Sequence, residues 1–333
     1  MTNLYKLMFS STLIWVTLLT ASSYSWVSMW MGLEINLLSI IPLMSSNKSK
    51  LSSESSLKYL ITQTIASAVL LFAMSMQWTD NNPNEIMIKI TPLLIMMSLM
   101  MKMGAAPLHF WFPEVMEGLS WLNSFIMMTW QKIAPLTILI YTPKQNNMLI
   151  IFIVTSLIIG GVMGINQNSL RKILAYSSIN HVGWLLSALM TNLSVWMNYF
   201  CIYTFISANL ILILKNFNIF YTYQIFTAKK NLLKISFLSN LLSMGGVPPF
   251  LGFLPKWMVL SSLTKTNTTL AMVMVTVTLI TLFLYLRTMI PSLALVNVEN
   301  KISMPSRTSF TIWWTNGFNI LSLGVCTLWF NLT

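Results

Sequence analysis

The sequence predicts an all-α polytopic membrane protein of about eleven transmembrane helices, and three observations carry that prediction. Only 8% of the 333 residues are charged, where a soluble domain carries roughly 25%. Apolar runs of about twenty residues recur along the chain, each long enough to cross a hydrocarbon core of ~30 Å. The runs are continuous rather than alternating with period two, which excludes a β-barrel.

In order, the runs fall at 4–22, 25–45, 57–78, 86–118, 120–141, 147–166, 170–190, 194–221, 235–262, 268–290 and 309–331. The first, with Lys6 ahead of it, mimics a signal peptide; the spans that follow make it the first helix. Turn-forming stretches separate the runs, among them Ser45-Ser46-Asn47, Asp80-Asn81-Asn82-Pro83 and Pro143-Lys144-Gln145-Asn146. The fourth run is too long for one straight span. No long linker interrupts the chain, so 1–333 reads as a single membrane domain.

The net charge of +12 does not point to nucleic acid, because the basic residues lie in short loops between spans. With eleven spans, thirteen of the nineteen Lys and Arg fall on the side of the N-terminus and three on the other. That asymmetry places the N-terminus on the cytosol-like side. Cys201 and Cys326 fall inside spans and form no metal-ligand spacing; small apolar packing suits them best.

The segment "MGAAPLHFWF" from Met103 has an echo, "MGGVPPFLGF" from Met244, 141 residues later. Glycine and proline both weaken a helix, so Gly104, Pro107, Gly245 and Pro248 mark helix breaks in spans four and nine. Five spans separate the copies, so they cross in opposite senses. Matching broken helices in inverted halves point to a transporter's pathway; two ordinary proline kinks are the competing explanation. The halves fall at about 1–141 and 147–290, followed by a C-terminal helix at 309–331.

Five ionisable groups lie well inside spans: Glu34, Lys102, Lys132, His181 and Lys256. A charge at mid-bilayer costs ~2.5–3.5 kcal/mol on insertion scales, and such groups usually pair and mark ion or proton paths. Glu34 has no basic neighbour in its own helix and needs Lys102 or Lys132 from another. A static buried ion pair that only fixes packing is the alternative. Lys102 precedes the first break and Lys256 follows the second. An unperturbed histidine titrates near neutrality, which suits His181 to handing protons on, against a merely hydrogen-bonded core histidine. His109 follows the first break as a relay group or a polar plug. Glu114 and Glu117 read as solvated, Lys58, Arg171, Lys172 and Arg287 as snorkelling, and Gly160 with Gly164 as a close helix approach. No P-loop, GxGxxG or Ser/His/Asp arrangement occurs.

The segments "WMGLEINLLSIIPLM", "LKYLITQTIAS", "MKMGAAPLHFWFPEV", "TWQKIAPL", "RKILAYSSINHVGW" and "GGVPPFLGFLPKW" resemble the NADH–ubiquinone oxidoreductase chain 2 family of animal mitochondria, antiporter-like subunits of respiratory complex I. The resemblance covers most of the chain and weakens at 215–234 and beyond 265. It implies two inverted five-helix repeats and a multi-pass place in the mitochondrial inner membrane with a matrix-facing N-terminus. It implies Glu34 as the key glutamate, Lys102 as its partner, Lys132 as the connecting lysine, His181 next on the axis and Lys256 near the exit. NADH, FMN, iron–sulfur clusters and ubiquinone would then bind other subunits. The partners would be those membrane subunits and the bilayer, with cardiolipin a candidate lipid. A standalone cation/proton antiporter and an inert spacer are the competing functions.

Overall fold

Without water to satisfy them, backbone N–H and C=O groups in a membrane must pair within the chain, so apolar runs fold as helices. A computed structural model of the chain describes residues 2–45, 49–79, 85–142, 146–226 and 231–294, with Gly317. The elements are α1 (Thr2–Ser22), α2 (Trp26–Met44), α3 (Lys50–Thr79), α4 (Glu85–Met103), α5 (Trp111–Gly118), α6 (Trp121–Met128), α7 (Trp130–Tyr141), α8 (Asn146–Ile165), α9 (Leu170–Thr191), α10 (Leu193–Phe217), α11 (Thr222–Phe226), α12 (Asn231–Gly245), α13 (Phe253–Leu263) and α14 (Thr268–Ala294).

Seven of these, α1, α2, α3, α8, α9, α10 and α14, are long and apolar enough to cross a membrane unaided. The predicted run 86–118 resolves into α4 and α5, and 235–262 into α12 and α13. The run 120–141 is also interrupted, at Thr129. That hydroxyl donates to Phe125 O at 2.8 Å, a back-bond of the kind that bends helices. The run 194–221 ends early, because Asn218 takes the left-handed conformation and caps α10 at Leu214 and Lys215. The predicted helix at 309–331, with Cys326, lies outside the described residues.

The chain divides into two compact units, Met1–Phe152 and Ile153–Thr333. In the first, α1 packs on α2, while α3 lies against α2, α4 and α5, and α7 meets α1, α2, α4 and α6. In the second, α9 packs on α10 and α13, and α12 on α10 and α14. Large apolar side chains such as Leu7, Trp15 and Leu19 of α1, and Met272, Leu279 and Phe283 of α14, remain exposed. That outer surface suits lipid or other membrane helices. By contrast α9 is enclosed, with nearly all of its apolar stretch buried.

The close approach read from Gly160 and Gly164 has definite partners. A Cβ on Gly160 would lie 2.8 Å from both Tyr176 O and Asn180 N, backbone atoms of α9. Neither can swing aside as a side-chain tip can. Gly160→Val is therefore expected to destabilise the second unit by about 1–3 kcal/mol, as overpacking typically does; thermal unfolding checks it.

Candidate functional site: two interrupted helices and their buried lysines

Both interrupted helices end in the same way. Gly104, at φ +70, and Gly246, at φ +76, sit one residue past α4 and α12, in a conformation a side chain would strain. Gly104 N donates to Met101 O at 3.2 Å and Ala105 N to Met100 O at 3.0 Å. Gly246 N donates to Ser243 O at 3.0 Å and Val247 N to Leu242 O at 3.2 Å. Each pair is a Schellman motif, which satisfies two of the carbonyls at a helix end.

This geometry corrects the register of the sequence echo by one residue. Gly245, expected at the break itself, is the last residue of α12; Gly246 is the left-handed residue. The helices that resume begin at Trp111 and Phe253, in the same register as Gly104 and Gly246. Pro249, not Pro248, then corresponds to Pro107. The tandem glycines 245 and 246 allow either alignment, and sequence identity favours the wrong one.

In the first unit, Lys102 is 7% exposed and Lys132 2% exposed. Glu34, on α2, is half-buried and close enough for its charge to act on the Lys102 ammonium. No ion pair within 4.0 Å joins them, whereas Lys58 and Glu114 form a bridge at 2.6 Å. That pair is exposed on both sides, so solvent screens it and it contributes little. Lys132 stands over the Phe112 ring, 5.6 Å from its centroid, a cation–π arrangement. Buried His109 places Nδ1 3.2 Å from Pro107 O, inside the break.

Uncharged neighbours complete this site. Asn36 Nδ2 donates to Gln131 Oε1 at 3.0 Å, and Gln131 Nε2 returns a bond to Asn36 Oδ1 at 3.2 Å. Gln63 Nε2 reaches Lys102 O at 3.5 Å, a carbonyl the α4 break leaves without a helical partner. A cavity of about 10 Å³ is lined by Asn36, Tyr59, Gln63, Lys102 and Gln131, with Leu33, Leu37 and Pro135.

In the second unit, the Lys256 ammonium donates to Met244 O at 3.0 Å and Gly245 O at 2.8 Å. These are the two carbonyls that the Schellman bonds leave over, and a cation there also complements the helix dipole. The same ammonium lies 5.7 Å from the Trp184 ring centroid. Trp184 stacks on Tyr199, with the rings 9° from parallel, and Tyr199 OH lies 2.8 Å from His181 Nδ1. His181 and Lys256 are thus joined by an aromatic bridge within one unit.

Neutral residues surround these charges and are not evident from charge alone. Asn36 lies two residues after Glu34, and Gln131 directly precedes Lys132. Tyr199 and Tyr203 share a face of α10 by their i, i+4 spacing, and both are buried beside His181. Polar residues at helical spacing within apolar runs were the available signal. Lys234, just ahead of the predicted run 235–262, is also buried. No cluster of three or more His, Cys, Asp or Glu able to hold a metal ion occurs among the described residues.

The chain matches the transmembrane family described as NADH:quinone oxidoreductase/Mrp antiporter over residues 23–281. It is 52% identical over 259 residues to an NADH-ubiquinone oxidoreductase chain 2 of Anopheles gambiae, covering 77% of this chain and 76% of that one. With the corresponding chain of Locusta migratoria it shares 44% over 307 residues, 90% of this chain and 88% of the other. A subunit of respiratory complex I from Thermus thermophilus shares the fold at a TM-score of 0.81 and 22% identity, over 96% of this chain and 76% of that one. A match spanning most of the sequence, with relatives well above 30% identity, makes this chain a member of the NADH-ubiquinone oxidoreductase chain 2 family.

Proposed function

We propose that the chain is a proton-translocating membrane subunit of respiratory complex I, coupling electron transfer from NADH to ubiquinone in other subunits to proton movement through its own buried side chains. The observation that carries the reading is Lys102: buried beside a helix break, within electrostatic reach of Glu34, yet not locked to it. A carboxylate and an ammonium that can meet or part favour charge when together and neutrality when apart. A signal that changes their separation therefore changes who holds the proton.

In this reading, protons pass from the Glu34–Lys102 pair to Lys132, on to His181, and leave near Lys256. The halves, about 1–141 and 147–290, act as inverted repeats around the two breaks. The N-terminus faces the matrix of a mitochondrial inner membrane, with cardiolipin a candidate lipid. NADH, FMN, iron–sulfur clusters and ubiquinone bind elsewhere in the complex. A standalone antiporter is not favoured, since relatives covering three quarters or more of the chain carry the name of an oxidoreductase subunit.

Glu34→Gln keeps the shape of the side chain and removes its charge. Complex I carrying it is expected to assemble but to translocate fewer protons per electron than wild type, measured in proteoliposomes. An unchanged ratio at unchanged turnover would remove the pair from the path and leave Glu34 a packing residue.

A further inference from the structure

Lys102 presents a problem that the pairing with Glu34 does not solve. An ammonium has three donors, and a buried one without acceptors is costly. Lys102 Nζ has no acceptor within hydrogen-bonding distance among the described residues; the residue's bond from Gln63 is through its own carbonyl. The side chain nevertheless lines a small polar cavity.

That cavity has the size and chemistry for one water. A water site needs a cavity of about 10–15 Å³ and two to four polar partners, and this one offers about 10 Å³. The Asn36–Gln131 amide pair uses one N–H of each amide in its reciprocal bonds. Each NH2 group therefore keeps a second N–H, and Asn36 Oδ1 keeps a lone pair. Tyr59 OH, 3.5 Å from Gln131 Oε1, and the Gln63 amide complete the polar wall. The apolar residues Leu33, Leu37 and Pro135 close the rest.

We propose that this cavity is a single-water site, held by Asn36 and Gln131, that serves as the alternative partner of the Lys102 ammonium when Glu34 is out of reach. The water accepts from Nζ and from an amide N–H, and donates to Asn36 Oδ1. Lys102 then has two supported positions, one against the Glu34 carboxylate and one against a solvated amide pair. Asn36 and Gln131 are positioning residues: they act through the water and take no proton. The inference rests on the relay reading above and adds the device that makes its first pair separable.

Two measurements test it. In a density map of the assembled complex sharp enough to show waters elsewhere in the membrane arm, a peak is expected within hydrogen-bonding distance of Lys102 Nζ and the Gln131 amide. Gln131→Met, similar in length but without the amide, is expected to remove that peak. The same variant is expected to lower NADH:ubiquinone turnover per assembled complex several-fold while leaving NADH oxidation by a hydrophilic acceptor unchanged. A merely structural role would reduce the amount of complex and both activities together. A dry cavity in wild type, or Gln131→Met turnover indistinguishable from wild type, overturns the proposal. If Gln131→Met does not assemble, the wild-type density alone decides. Lys102→Met separates the two layers: if it leaves pumping intact, the relay reading itself falls. If it stops pumping while Gln131→Met does not, only the water site falls.

Discussion

Complex I carrying Lys102→Met is expected to assemble normally and to lose proton-coupled NADH:ubiquinone turnover by at least about tenfold, since a positioned proton-transfer group typically contributes 10²–10⁴-fold. Methionine matches the reach of lysine and fits an apolar run, so the helix and its Schellman end are retained. The backbone carbonyl of residue 102 keeps its bond from the Gln63 amide. What disappears is the ammonium that feels the charge of Glu34 and lines the small polar cavity. The measurement is turnover and proton-to-electron ratio per assembled complex, with NADH oxidation by a hydrophilic acceptor as the internal control. Retained pumping would make the lysine a packing element and reduce the family's shared function to other residues.

Lys256→Met is expected to behave differently, although both lysines flank helix breaks. Its ammonium satisfies the carbonyls of Met244 and Gly245, and each buried carbonyl left unpaired costs about 1–3 kcal/mol. The expected result is loss of turnover together with lower thermal stability of the assembled complex. Arginine does not rescue it. The side chain lies against Gly246, where a Cβ would already come within 2.7 Å of Lys256 Cδ, so a bulkier guanidinium has no room to reach the same carbonyls. Thermal inactivation measured beside turnover decides the matter: full stability with lost turnover would mean that the lysine transfers protons without holding the break.

These two residues show how far the sequence could be read. The apolar runs, the glycine–proline interruptions and the isolated charges are visible because each violates the composition around it. Which carbonyls a break frees is not visible, since that depends on whether the left-handed residue is Gly245 or Gly246. The sequence therefore shows Lys256 as a relay group alone, while its clasp on the helix end is a property of the folded chain. The Asn36–Gln131 pair was illegible for another reason. Neutral amides in apolar helices carry no charge to flag them, and their partnership spans 95 positions. The interruption at Thr129 leaves no mark in hydropathy, because the segments on both sides of it are predominantly apolar.

The enclosure of α9 has a consequence for how the chain is made. It has the lowest hydropathy of the seven long spans and the largest buried share; it carries Ser177, Ser178, Asn180, His181 and Ser187 on the inside. Lipid alone offers such a segment a weak reason to leave the insertion machinery. The more apolar α8 and α10 flank it in the chain, and partitioning of the three as one unit supplies the drive that α9 lacks. A polar substitution in α8 is therefore expected to lower membrane insertion of α9, as glycosylation mapping of the nascent chain would measure.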